Sequence, residues 1–202
     1  MGIRPFLAIH PCPSRRRGGR VLARAAVAAL VLLAFPGFPA DAAAQAVGEY
    51  PLKAGYLYNF LLLAGWPARP GEPASAPLVL GIVGDDPFGA AIDPIAGRGV
   101  DGRAIAIRRF AAAAAPDELA ACHLLFLAPA AAPREQEILA RLAGRPVLTV
   151  SDAAGFADRG GMIGFVIRGQ RLRFEVNRGA AAAAGIELRS KLLRLADRVV
   201  GE

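Results

Sequence analysis

Cysteine and histidine are scarce in this chain of 202 residues: Cys12, Cys122, His10 and His123 are all there is. Two cysteines exclude a disulfide-rich scaffold and a cysteine-built zinc cluster. Two histidines leave little for histidine-based catalysis. The nucleophile elbow G-x-S-x-G is missing, and so is the P-loop. GIVGDDPFG has glycines after an apolar run, but its spacing is not G-x-G-x-x-G, and Asp85 and Asp86 would repel a phosphate. Internal repeats and a second-domain linker are also missing. The apolar fraction of 54% reflects alanine; without the alanines it falls to roughly 32%, ordinary for a globular chain and too low for a multi-span membrane protein.

What is present begins with charge. The formal balance is +7, from 24 Lys+Arg against 17 Asp+Glu. Arg4, Arg15, Arg16, Arg17, Arg20 and Arg24 all precede residue 47, whereas Asp41 is the one acid there, so the basic excess belongs mostly to the N-terminus. It is no argument for nucleic acid as a partner. SRRRGGR, an apolar run from Val21 to Phe35, and ADAAAQA make the three parts of a secretory signal, with cleavage expected after Ala44 or Ala46. The run is shorter than the ~20 residues a membrane span needs. The expected organisation is a cleaved signal peptide over 1–46 and a single domain over 47–202. The mature chain keeps only Cys122, in the apolar run CHLLFLA, where a buried structural thiol is expected.

From Glu49 to Pro67 the chain reads as a helix with Pro51 in its first turn, apolar nearly all round. LVLGIVG, RAIAIRRF, CHLLFLAP and PVLTV read as strands, with capped helices between them. One starts at Asp86-Pro87, and another, REQEILARLAG, places Ile138, Leu139 and Leu142 inward. That alternation predicts an α/β fold: a mostly parallel sheet with helices on both faces, an α/β/α sandwich. MIGFVIRGQRLRFEVN then predicts an antiparallel C-terminal hairpin around Gly169-Gln170, read as a type II′ turn. Its register pairs Arg168 with Arg171, Ile167 with Leu172, Phe165 with Phe174 and Ile163 with Val176, and leaves Arg171, Arg173 and Glu175 facing outward. Asn177 starts an Ala-rich helix, IEL is a short strand, and SKLLRLADRVV reads as a closing amphipathic helix capped by Ser190, with Leu192, Leu195, Ala196 and Val199 inward.

In open parallel sheets ligands meet the carboxyl ends of the strands. Here that edge gathers Asp85 and Asp86 from one loop and Ser151 and Asp152 from another, which makes them the candidate ligand residues. No catalytic, metal-ligating or cofactor-binding set emerges. His123 has no partner for a triad and reads as a satisfied structural residue.

Together, YLYNF…WP, GIVGDDPFG, PVLTVSDAAGFADRGGMI, RLRFEVN and IELRSKLLRLA resemble the YfiR/HmsC-like family of exported bacterial proteins, in the same order across the mature chain. The resemblance implies a periplasmic, non-enzymatic regulator. It would bind the periplasmic sensor region of an inner-membrane diguanylate cyclase, hold it off, and so lower cyclic di-GMP and biofilm formation. It implies further that an outer-membrane lipoprotein can draw the repressor away and that the repressor can form a homodimer. Leu62 and Gly65 stand where the family's first helix usually carries Lys and Glu, Gly164 replaces its Asn and leaves the site opposite Glu175 empty, and Cys122 alone cannot form the disulfides of some relatives. Tyr56, Phe60, Leu62 and Trp66 of the apolar first helix, with Phe88 as an exposed loop aromatic, are the expected partner contacts. The alternative is a periplasmic small-molecule binding protein working with a transporter or receptor.

Overall fold

The computed structural model describes residues 40–201, and side chains from residue 48 onward. The expected signal peptide lies almost wholly outside the described residues. The first helix, α1 (Ala40–Leu63), has Pro51 inside it rather than at its start, because the helix-favouring Ala/Gln stretch before it is already helical. A two-residue strand β1 (Ala64–Gly65) follows, then β2 (Leu78–Val83), β3 (Gly99–Val100), β4 (Arg103–Phe110), the short helix α2 (Pro116–Leu119), β5 (Leu124–Leu127), α3 (Glu135–Leu142) and β6 (Leu148–Ser151). The C-terminal part holds β7 (Ile163–Arg168), β8 (Arg171–Asn177), α4 (Arg178–Ala183), β9 (Glu187–Leu188), α5 (Ser190–Leu195) and β10 (Arg198–Val200).

Eight strands form one sheet in the order β10-β8-β7-β6-β5-β2-β4-β3. Only β7–β8 and β3–β4 pair antiparallel; the other ladders are parallel, as the alternating pattern requires. β1 and β9 make a small antiparallel sheet that ties the end of α1 to the C-terminal segment, helped by Arg189 N–H donating to Leu63 C=O at 2.9 Å.

The two faces bury separate cores. On one, the α1 stripe Ala54, Leu57, Phe60, Leu61 and Ala64 has the i, i+3, i+4 spacing of a single helix face. It packs on Leu80, Phe126, Val150, Phe165 and Phe174, with Ala181 of α4 and Leu192 of α5 joining. On the other face α2 and α3 bring Leu119, Ile138 and Leu142 onto Val83, Leu125 and Leu127. Cys122 lies in this second core, and it fits because residue 81 is glycine: a Cβ there would meet Cys122 Sγ at 2.6 Å. Burial pushes the thiol up to about 11, so it is a structural residue.

The hairpin register is the expected one at every pair. Its turn is different: Gly169 and Gln170 both have positive φ, of 52° and 62°, which is a type I′ turn rather than II′. The twist of I′ matches the twist of the strands, at a modest cost for Gln170 in the left-handed region. Glu175 does not face outward; it is 3% exposed. Gly164 leaves no empty site either, since Phe156 Cβ and Ala157 N come within 3.5 Å of where its Cβ would be.

Three local readings are corrected. After Asp86-Pro87 there is no helix, only two 3-10 turns at Gly89–Ala91 and Asp93–Ile95, because Pro94 and the glycines break any longer run. Asp86 instead accepts a hydrogen bond from Phe88 N–H at 2.8 Å, an Asx turn. The closing helix stops at Leu195, and Arg198–Val200 becomes β10, parallel to β8. Leu195 and Val199 are consequently exposed, and Arg189, not Ser190, is the residue that precedes α5.

Candidate functional site

The carboxyl ends of β5 and β6 do open into a cleft, of about 680 Å³, but mostly with different residues from those expected. Of the four candidate ligand residues only Asp152 lines it. Ser151 is buried, donating to Leu127 C=O at 2.9 Å and accepting from Ala153 N–H at 3.2 Å, so it holds the turn. Asp86 is engaged by Arg109 Nε at 2.7 Å as well as by Phe88 N–H, and Asp85 is solvent-exposed.

One wall comes from α1. Lys53 is 2% exposed, with its Nζ 2.6 Å from Glu49 Oε1 and 2.6 Å from Asp152 Oδ2. Tyr50 donates its hydroxyl to the same Asp152 oxygen at 3.0 Å, and Lys53 Nζ sits 4.4 Å from the Tyr50 ring centre. A buried ammonium is tolerable only with such pairing. Burial, and then the Asp152 charge, raise the Tyr50 phenol, so it stays protonated and a donor.

The opposite wall is built on Glu175. Arg198 donates to Glu175 at 2.7 and 3.1 Å and forks onto Asp158 at 2.8 and 2.9 Å, while Arg168 Nη2 reaches Glu175 at 3.0 Å. Hydrogen bonding to Arg198 holds the Asp158 carboxyl below its usual range. Parallel pairing of β10 with β8 places Arg198 beside Glu175, so the unexpected last strand is what satisfies the buried acid. The loop between the walls is pinned from below by Arg159, which grips buried Glu135 of α3 at 2.7 and 3.1 Å. Among the described residues no group of three or more His, Cys, Asp or Glu is placed to hold a metal.

A second polar cluster lies at the amino ends of the strands. His123 Nδ1 accepts from Val79 N–H at 3.0 Å, so the neutral ring carries its proton on Nε2 and donates to Glu72 Oε1 at 3.1 Å. Burial first, then the Arg69 charge, pull this imidazole down to about 4. Arg103 binds Glu72 and donates to Ala76 C=O at 2.6 Å. Arg69 donates to the carbonyls of Ala121, Cys122 and Pro146, at 3.1, 2.6 and 2.8 Å.

The expected partner contacts are mostly interior. Phe60 is 1% exposed and Phe88 4% exposed. Phe88 is therefore not an exposed loop aromatic: its ring packs edge-on against Phe126 at 4.8 Å and Tyr50 at 5.4 Å. Tyr56 is half-buried against Phe165 and Phe174, and Leu62 is half-buried against the same core. Trp66 is half-buried, and its indole N–H donates to His123 C=O at 2.9 Å. Most of the apolar surface of α1 is thus covered within the chain. Sequence reasoning missed Lys53, Glu49, Arg168, Glu175 and Arg198. The spacing of Glu49 and Lys53, an acid four residues before a base on a helix, was the signal available.

An open α/β sheet with a mixed-charge cleft at its strand ends defines the class of fold. The fold is shared with a solved structure of a conserved domain protein from Vibrio cholerae: the TM-score is 0.53 at 10% identity, over 75% of this chain and 60% of that one. The YfiR/HmsC-like family model matches residues 50–197, and the chain belongs to that family. Among the described residues no helix is long and apolar enough to cross a membrane.

Proposed function

We propose that this protein is exported to the periplasm and acts there as a non-enzymatic regulator. In this reading it binds the periplasmic sensor region of an inner-membrane diguanylate cyclase and represses it, so that cyclic di-GMP and biofilm formation fall. The family match over residues 50–197 carries the reading. The internal pairing of the charges in the cleft supports binding over catalysis, since Lys53 and Glu175 already spend their charge on neighbours. Repression requires that the protein bind the inactive state of the cyclase more tightly than the active one. An outer-membrane lipoprotein that competes for the free repressor would relieve it, and a homodimer would be one storage form.

Deleting the gene and measuring cellular cyclic di-GMP by mass spectrometry tests this. Deletion is expected to raise the level, re-expression of the full chain to restore it, and re-expression without residues 1–46 to fail. An unchanged level on deletion refutes the reading. The cleft volume lies within the range of small-molecule sites. A solute that raises Tm in a concentration-dependent way would favour the alternative, a solute-binding protein working with a transporter or receptor.

A further inference from the structure

β6 ends too soon for its neighbour. Its last pairing is Ser151 with Gly164, yet among the described residues β7 continues to Arg168 with a strand on its β8 side alone. The hairpin register decides where the leftover backbone groups point. A two-residue turn makes Arg168 and Arg171 the pair that exchanges both hydrogen bonds, and such pairs alternate along an antiparallel ladder. Val166 therefore turns its N–H and C=O toward β8, whereas Phe165 and Ile167 turn theirs away, into the lane that β6 has vacated. That lane is the cleft: the four consecutive residues Phe165, Val166, Ile167 and Arg168 all line it.

We propose that this free edge of β7 receives an extended polypeptide segment of a protein partner by strand addition, and that the segment alternates apolar with acidic side chains. The proposal rests on reading the chain as a binding protein, not on which cyclase it meets. An unpaired strand edge is a template for another strand, and protein recognition uses it so. Four residues at 3.3 Å each give an edge of roughly 13 Å, room for about four residues of a guest.

The two faces of the lane dictate the alternation. On the α1 side a guest side chain meets Phe165, Ile167 and Leu172, and next to them a further cavity of about 490 Å³ reaches Leu52. Ile167 and Leu52 are 53% and 52% exposed, apolar surface that the described residues leave uncovered. On the opposite side the guest meets Val166 and Arg168, with exposed Arg171 and Arg173 on the same face of the hairpin. The acids there, Glu175, Asp158 and Asp197, are held by Arg198 and Arg168, so the surplus charge is positive, lies on Arg171 and Arg173, and selects carboxylates.

The probe is the blocked heptapeptide acetyl-Val-Glu-Val-Glu-Val-Glu-Val-amide, fluorescently labelled and titrated into the purified exported protein. Two isomers, methylated on three backbone nitrogens each, those of the last three valines or those of the three glutamates, block one edge each. One isomer is expected to lose about tenfold or more in affinity and the other to bind nearly as the parent, the scale of a few backbone hydrogen bonds. Replacing Glu by Lys in the peptide is expected to weaken binding similarly. Ile167→Pro removes an N–H that faces the cleft without taking a bond from β8, so it should lose about tenfold, whereas Ile167→Ala keeps that N–H and should lose less. The methylated pair decides the question if the proline variant fails to fold. Equal binding of both isomers, equal binding of the lysine peptide, or no binding of the parent at about 1 mM, the weak end of specific affinity, overturns the proposal. If cyclic di-GMP still rises on gene deletion, that failure removes the strand-addition surface and leaves the repressor reading standing.

Discussion

The two ends of the sheet handle buried charge in opposite ways. At the amino ends His123, Glu72, Arg103 and Arg69 fasten the loop after α1 onto the residues that lead into β2, β5 and β6, and much of their bonding goes to backbone carbonyls. At the carboxyl ends Lys53, Asp152, Arg198 and Glu175 bond mainly to other side chains across walls that stand apart. Side chain to backbone bonds close gaps, because they belong to the fold itself. Side chain to side chain pairs can line an opening and still be satisfied. The first end therefore reads as fabric and the second as a place for a guest.

That contrast can be broken in order of expected effect. Arg69→Ala strips donors from three carbonyls and should cost about 2–4 kcal/mol in urea unfolding; a cost below about 1 kcal/mol would show that the amino-end cluster is ornamental to stability. Asp152→Asn leaves the Lys53 ammonium with half of its counter-charge and should cost about 2 kcal/mol, less than the loss of a sole buried partner because Glu49 remains.

Acid should act through the amino end. His123 titrates near 4 when folded and near its ordinary 6.5 when unfolded, so the unfolded state takes up a proton first. Stability is then lost as pH falls through that window. Tm measured from pH 7 to 4.5 should drop less for His123→Gln than for the parent, and parallel curves would contradict the assignment. The smallest effect is expected from Lys53→Met combined with Asp152→Asn, below about 1 kcal/mol, since both charges of the buried pair go and neither is orphaned. If the double variant proved costlier than Asp152→Asn alone, the cleft wall would not be desolvated as described.

Most of the fold could be read from the residues because local signals agreed with the final arrangement. Apolar runs between capped segments gave β2, β4, β5 and β6, and the hairpin register followed from a two-residue turn plus alternation. The cleft could not be read in the same way. Glu175 sits at an alternating position whose face looks solvated until β10 is known to lie beside it. β10 in turn carries a helical pattern that pairing with β8 overrides. Lys53 has one counter-ion, Glu49, a turn away on its own helix, but the other, Asp152, is 99 residues away in the chain. The burial of Phe88 is not legible either, because a loop position says nothing about the ring against which it packs.

The burial of Lys53 has a practical side. The chain's other lysine, Lys191, is solvent-exposed on α5. Amine-directed reagents applied to the native protein should therefore find that ε-amino group and the chain's α-amine, and little else. A dye or surface tether can thus be confined to two known amines without any engineered handle, and the appearance of a second modified lysine would report that the first helix has come away from the sheet.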